Sequence, residues 1–191
     1  MSKLAVVAGV PGVGKTTVVE GALEGLKKAG TAYELVNYGD FMLKIAREKA
    51  GVNDRDDMRK LELKLSREIQ ENAAKEIAKL AKKKPVLVDT HCTIKTPRGY
   101  LPGLPRWVLD RLNPSAIVLI EAEPKRIAGR RSSDDTRCRD DELQDEIVTH
   151  QQLNRAVATV CAAMSGATVT IINNEEGKVN EAVNKMIEVL R

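Results

Sequence analysis

Five short runs along the chain are almost wholly apolar and rich in β-branched residues: Leu4–Ala8, Tyr33–Val36, Val86–Val88, Ala116–Ile120 and Thr168–Ile172. They are nearly continuous rather than alternating, so each predicts a strand buried on both faces. Between them the apolar positions recur at helical spacing. Lys15–Lys28 and Phe41–Lys49 read as helices. Lys60–Lys82 carries Leu61, Leu65, Ile69, Ala73, Ile77 and Leu80 with charges between them. Glu142–Met164 carries Leu143, Ile147, Leu153, Val157 and Val160, and Glu175–Leu190 carries Val179, Val183, Met186 and Leu190. Strands alternating with helices predict an α/β fold, a doubly wound five-stranded parallel sheet with helices on both faces. Thr90–Pro105, rich in Pro and Gly, and the densely charged Arg131–Asp141 read as irregular. No repeat or linker divides the 191 residues, which predicts one domain.

In such a sheet, ligands bind outside the carboxyl ends of the strands. The first strand ends there in Gly9-Val10-Pro11-Gly12-Val13-Gly14-Lys15-Thr16, and a helix follows at once. The match is G-x-x-x-x-G-K-T in the strand–loop–helix setting the motif needs. A fortuitous glycine-rich turn has no reason to sit there. The glycines let backbone N–H groups turn inward around a polyphosphate. The helix N-terminus adds partial positive charge, Lys15 adds a full one, and the Thr16 hydroxyl is a Mg²⁺ ligand. Pro11 precedes the helix and does not interrupt it. The pattern predicts a P-loop NTPase fold that binds a nucleoside triphosphate.

Candidate partners for that loop lie at other strand ends. Pro85-Val86-Leu87-Val88-Asp89 is an apolar strand ending in a carboxylate, the shape of a Walker B element. Asp89 there reaches Mg²⁺ through water or orients a nucleophile. Asn37-Tyr38-Gly39-Asp40 ends the second strand, and Asp40 reads equally well as a helix cap or as part of an acceptor site. Arg55 and Arg59 lie one helical turn apart in an acidic and basic segment. Arg126, Arg130, Arg131, Arg137 and Arg139 crowd into a stretch after the fourth strand. Arginine clamps phosphate bidentately, and a segment that swings over a transferring phosphoryl group excludes water from it.

Composition narrows the classes. Net charge is +4, and aromatic residues make up 3% of the chain. That suits an anionic small molecule and leaves little surface for stacking bases, so nucleic acid is not an expected partner. No apolar run approaches the roughly 20 residues of a membrane helix, and no signal-peptide pattern is present, so the chain reads as cytoplasmic. Cys92, Cys138 and Cys161 are widely spaced and form no C-x-x-C pair, which reads as three reduced thiols. A guanine motif of the form [NT]-K-x-D is absent, since Asn184-Lys185-Met186-Ile187 lacks the Asp.

Taken in order, G-V-P-G-V-G-K-T-T, V-N-Y-G-D-F-M, D-R-D-D-M-R-K-L, V-D-T-H-C-T-I-K-T-P-R-G-Y-L-P-G-L-P-R-W-V and N-P-S-A-I-V-L-I-E resemble the archaeal-type adenylate kinases. The resemblance runs over essentially the whole chain, with Arg155 and Gly166-Ala167-Thr168-Val169 near its end, and Asp89–Pro105 is its most specific block. It implies Mg²⁺-dependent transfer from ATP to AMP giving two ADP, in the cytoplasm, by a homo-oligomer, commonly a trimer. Carried over by motif, Gly9, Val10, Pro11, Gly12, Val13, Gly14, Lys15, Thr16 and Thr17 bind ATP. Asp40 and Arg59 lie at the AMP site in a helical segment of about 38–82, and Arg98 or Lys95 approaches phosphate. Thr16 and Asp89 serve the metal, and Lys15 acts with the arginines Arg130, Arg137 and Arg139 of a short lid of about 130–141. The chain lacks the D-G-[FY]-P-R-T block and the large lid of bacterial relatives, as the archaeal type does. A kinase for another monophosphate or a small hydroxylated metabolite, or an adenylate-kinase-like assembly ATPase, fits the loop equally.

Overall fold

The computed structural model describes residues 4–58, 60–132 and 144–191. Its elements in chain order begin with β1 (Leu4–Ala8), α1 (Lys15–Lys28), β2 (Glu34–Asn37), α2 (Tyr38–Ala50), α3 (Arg55–Met58), α4 (Leu63–Ala81) and β3 (Val86–Asp89). They continue with β4 (Thr93–Thr96), β5 (Gly99–Pro102), α5 (Arg106–Leu112), β6 (Ala116–Glu121), α6 (Pro124–Ser132), α7 (Gln144–Ser165), β7 (Thr168–Asn173) and α8 (Val179–Leu190).

The five predicted strands form one parallel sheet in the order β2-β3-β1-β6-β7. β1 and β6 are buried along their whole length, which is why they read as continuous apolar runs. Successive side chains point to opposite faces and feed two cores. Leu4, Val6, Val88, Ile117 and Leu119 pack with Ala73 and Ile77 of α4, Val108 of α5 and Ala158 of α7. Ala5, Val7, Leu87, Val118 and Ile120 pack with Val18 and Leu26 of α1 and with Met186 and Leu190 of α8. Both cores are almost entirely aliphatic, as the composition requires.

The segment read as irregular is largely ordered. Thr90–Pro105 contains an antiparallel hairpin, β4 paired with β5, in which Thr96 faces Gly99 across the turn. Its four-residue strands are too short and too polar to give a periodic signal, and Pro102 sits at an edge where no ladder bond is asked of it. The hairpin is fastened to α7. Buried Asn154 accepts through Oδ1 from the Thr93 N–H at 3.0 Å and from the Thr93 hydroxyl at 2.6 Å. The His150 ring lies 3.2 Å from the Thr93 carbonyl and meets Tyr100 edge-on at 4.9 Å. The helix expected over Lys60–Lys82 starts at Leu63 and is preceded by α3, and the last helix starts at Val179, after Gly177 in the left-handed region at φ 71°.

At the hairpin's base, the Gly103 N–H donates to the Cys92 carbonyl at 2.8 Å, and a Cβ at Gly103 would overlap the carbonyl oxygen of His91. Gly103→Ala is therefore expected to cost about 2 kcal/mol of stability, a fall in Tm of about 4–8 °C for a chain of this size. A calorimetric melt indistinguishable from wild type would show that the base relaxes without strain.

Candidate functional site

The carboxyl ends of the five strands place the site residues. After β1 the chain turns through Gly12 at φ 91° and Gly14 at φ 81°, a conformation that side chains other than glycine rarely adopt. Gly14 is also the N-cap of α1 and offers no side-chain cap, so the first N–H groups of that helix face outward for a ligand. Thr16 and Thr17 stand exposed on the first turn.

The loop's carbonyls are held from outside the cradle. Arg131 Nε donates to the Pro11 carbonyl at 2.9 Å, Arg130 Nη1 to Gly12 at 3.1 Å, and Asn174 Nδ2 to Val13 at 2.8 Å. The Val10 carbonyl accepts from the Val13 N–H at 3.4 Å. A peptide whose carbonyl is fixed on one side presents its N–H on the other. These bonds therefore orient the N–H groups for an anion before one arrives. Two of the three side chains come from α6, and the third follows β7. A Cβ at Gly9 would lie 2.6 Å from the Ile120 carbonyl oxygen, so the loop's entry passes tightly against β6.

Lys15 is ion-paired with Asp89 at the end of β3, and its ammonium lies 3.5 Å from the Thr90 carbonyl. The other Asp89 oxygen accepts from Asn37 Nδ2 at 3.4 Å. Asp89 thus links the loop's lysine to the end of β2. His91, two residues on, is kept neutral: burial pushes its imidazolium pKa down to about 4, Lys15 adds to the effect and Asp89 opposes it.

Asn37, not Asp40, caps α2: its Oδ1 accepts from the Asp40 N–H at 3.3 Å. The capping alternative for Asp40 is thereby removed. The Asp40 carboxylate pairs with Arg55 at 2.7 Å, and Arg55 also donates to Asn37 Oδ1 at 3.1 Å. Lys95 on β4 pairs with Glu146 of α7 at 2.8 Å. Arg98 stands exposed at the hairpin turn, and no hydrogen bond from its side chain joins it to the other candidates among the described residues. Arg59, Arg137 and Arg139 lie outside the described residues, as do Cys138 and the rest of 133–143. Cys92 and Cys161 are buried and unbridged, and burial raises the Cys92 thiol to about 12.

Among the described residues no group of three His, Cys, Asp or Glu is placed to hold a metal. A threonine hydroxyl and one carboxylate at a phosphate cradle fit Mg²⁺ all the same, because that ion keeps waters and takes phosphate oxygens instead of a protein cage. Beside the cradle, Glu121, Arg126, Gln151, Arg155 and Asn173 line an open cleft of about 610 Å³ at the ends of β6 and β7. Arg155 grips the Glu121 carboxylate with two donors, one at 2.8 Å. Asn174 and the cleft-lining role of Arg126 escape a reading of the sequence. The one available signal is that Asn174 follows a strand end just as Asp89 closes one.

Residues 8–148 match the family model described as an AAA domain. The chain is 50% identical to the adenylate kinase of Methanocaldococcus jannaschii over 190 residues, covering 100% of this chain and 99% of that one. It is 51% identical to the adenylate kinase of Methanopyrus kandleri over 193 residues, with coverage of 100% and 99%. Among solved structures, a shikimate kinase from Bacteroides thetaiotaomicron aligns with a TM-score of 0.62 at 18% identity, covering 98% of this chain and 97% of that one. That likeness establishes the fold alone.

Asn174→Ala removes one buried bond to the loop and leaves the Val13 carbonyl without its donor. Nucleoside triphosphate binding is expected to weaken roughly tenfold, read by titration calorimetry. Unchanged affinity in a folded variant would show that the loop keeps its shape without Asn174.

Proposed function

This chain belongs to the adenylate kinase family, and on that premise we propose that it transfers the γ-phosphoryl group of ATP reversibly to AMP, giving two ADP. The observation that carries the reading is the line of contacts Lys15–Asp89–Asn37–Arg55–Asp40. It runs from the phosphate cradle at the end of β1, across β3, to a charged cluster at the end of β2, two strands away.

The chemistry needs little from the protein beyond position and charge. An AMP phosphate, with its second pKa near about 6, is largely dianionic at neutral pH and requires no general base. Two strongly negative reactants must be brought in line and kept from water. In this reading Gly9–Thr17 hold ATP, and Lys15 leaves Asp89 for the phosphates. Arg130, Arg137 and Arg139 close over the transferring group. Asp40, Arg59 and Arg98 hold AMP within the segment of about 38–82. Thr16 and Asp89 would hold Mg²⁺, which would supply positive charge against the phosphates. Asp89 acting as a base is the alternative that a hydroxyl acceptor requires.

The same reading takes the chain as one kinase domain working in the cytoplasm as a homotrimer. Among the described residues no helix is long and apolar enough to cross a membrane. Val160 and Met164 of α7 are 57% and 51% exposed beside the edge strand β7, an apolar surface that suits subunit contact.

An acceptor panel with ATP and Mg²⁺ tests the reaction: AMP is expected to exceed CMP, UMP and shikimate-like alcohols, and equal rates would sink the assignment. Lys15→Ala is expected to lower turnover by several orders of magnitude with an unchanged melt. Arg137→Ala is expected to lower turnover more than AMP affinity. A pure affinity loss would move Arg137 to the acceptor site.

A further inference from the structure

Asn37 stands between the cradle and the charged cluster beyond it. It is the last residue of β2 and lies in register beside Asp89 at the end of β3, and Asp89 lies in turn beside Val7 of β1. Three polar contacts converge on its short side chain. Oδ1 accepts from the Asp40 N–H at 3.3 Å and from Arg55 Nη2 at 3.1 Å. Nδ2 donates to Asp89 Oδ2 at 3.4 Å, while Asp89 Oδ1 pairs with Lys15. Arg55 Nη2 also donates to the Asp40 carboxylate at 2.7 Å.

These neighbours fix the sense of the amide. A peptide N–H and a guanidinium only donate, and an ionised carboxylate only accepts. Turned over, the amide would aim NH₂ at two donors and its oxygen at Asp89, losing all three bonds. Its partners are fixed in return. Arg55 uses Nη2 on both Asn37 and Asp40, and because a guanidinium is planar, two bonds from one nitrogen set the plane in which its other donors lie. Asp89 is held through the oxygen that Lys15 does not use. That bond can keep the carboxylate in place when Lys15 turns to a phosphate. One amide thus orients a cation on the acceptor side and a carboxylate on the donor side.

We propose that Asn37 is a positioning residue for phosphoryl transfer: it holds Arg55 and Asp89 in one arrangement and so aligns the two phosphates that react. The proposal rests on the reading of the cradle and the Arg55–Asp40 cluster as the two substrate sites. It gives Asn37 no contact with either nucleotide, so its contribution falls on alignment and not on affinity. In-line transfer is sensitive to such alignment, since a misplacement of about 1 Å costs on the order of a hundredfold in rate.

The test is kcat and both KM values, with ATP and AMP, in wild type, Asn37→Ser, Asn37→Asp, Arg55→Ala and the double variant Asn37→Ser with Arg55→Ala, each checked by a thermal melt. Asn37→Ser keeps a capping oxygen for α2 but is too short to reach Arg55 and Asp89. It is expected to lower kcat roughly tenfold to a hundredfold, with both KM values within about threefold of wild type. Asn37→Asp keeps the cap and the bond to Arg55 but turns a like charge on Asp89, and its kcat is expected to fall at least as far. In the Arg55→Ala background, Asn37→Ser is expected to cost less than in wild type, because one of the two groups it holds is already gone. A wild-type kcat in folded Asn37→Ser and Asn37→Asp, or a loss confined to the KM for AMP, would overturn the proposal while leaving AMP as acceptor intact. An undiminished loss in the Arg55→Ala background would show that Asn37 does not act through Arg55 and would overturn it too. A wild-type chain that transfers phosphate to no nucleoside monophosphate would overturn the acceptor assignment and this proposal together.

Discussion

The site depends on the direction in which a few peptide groups point. A phosphate cradle works only if its N–H groups face the ligand, and a glycine-rich loop on its own has many other conformations open to it. Here Arg131, Arg130 and Asn174 bond the carbonyls of Pro11, Gly12 and Val13 from behind. The ordering entropy is met when the protein folds and not when nucleotide binds, which is the physical content of preorganisation. The restraints come from α6 and from the end of β7, both distant in sequence from the loop. The cradle is therefore a property of the assembled sheet.

The same economy governs the charges. Lys15 has Asp89 as its partner in the absence of ligand, and Asp89 also accepts from Asn37. A buried or half-buried ion without a partner is costly, so a site awaiting several negative charges must neutralise its own cations meanwhile. In the proposed reaction an arriving phosphate would take the place of Asp89 on Lys15, leaving that carboxylate available to a metal. Neutral His91 beside them adds no charge to this exchange.

Much of this was legible in the chain, and the reason is periodicity. Strands such as Val86–Asp89 and Ala116–Glu121 are buried on both faces, so their continuous apolar runs announce a parallel sheet, and the glycine loop fixes which edge carries the site. The hairpin of Thr93–Pro102 was not legible, because four-residue polar strands carry no period and their order comes from Asn154 and His150, more than fifty residues away. Asn174 was missed for the same reason. An amide's role is set by what it bonds, and no local pattern marks an asparagine that reaches back to residue 13. Asp40 shows the opposite case, in which spacing left a cap and an acceptor residue equally open and the bond to Asn37 removed the first.

The central claim is that the cradle and the Arg55–Asp40 cluster are the two ends of one transfer path through Asp89. A crystal structure with a dinucleotide of two adenosines bridged by five phosphates tests it most directly. The account predicts a phosphate chain running from the loop N–H groups to the end of β2, with Lys15 moved from Asp89 onto phosphate and an adenosine within reach of each strand end. A dinucleotide held at the loop alone, with Lys15 still on Asp89 and its second adenosine directed away from β2, would contradict it.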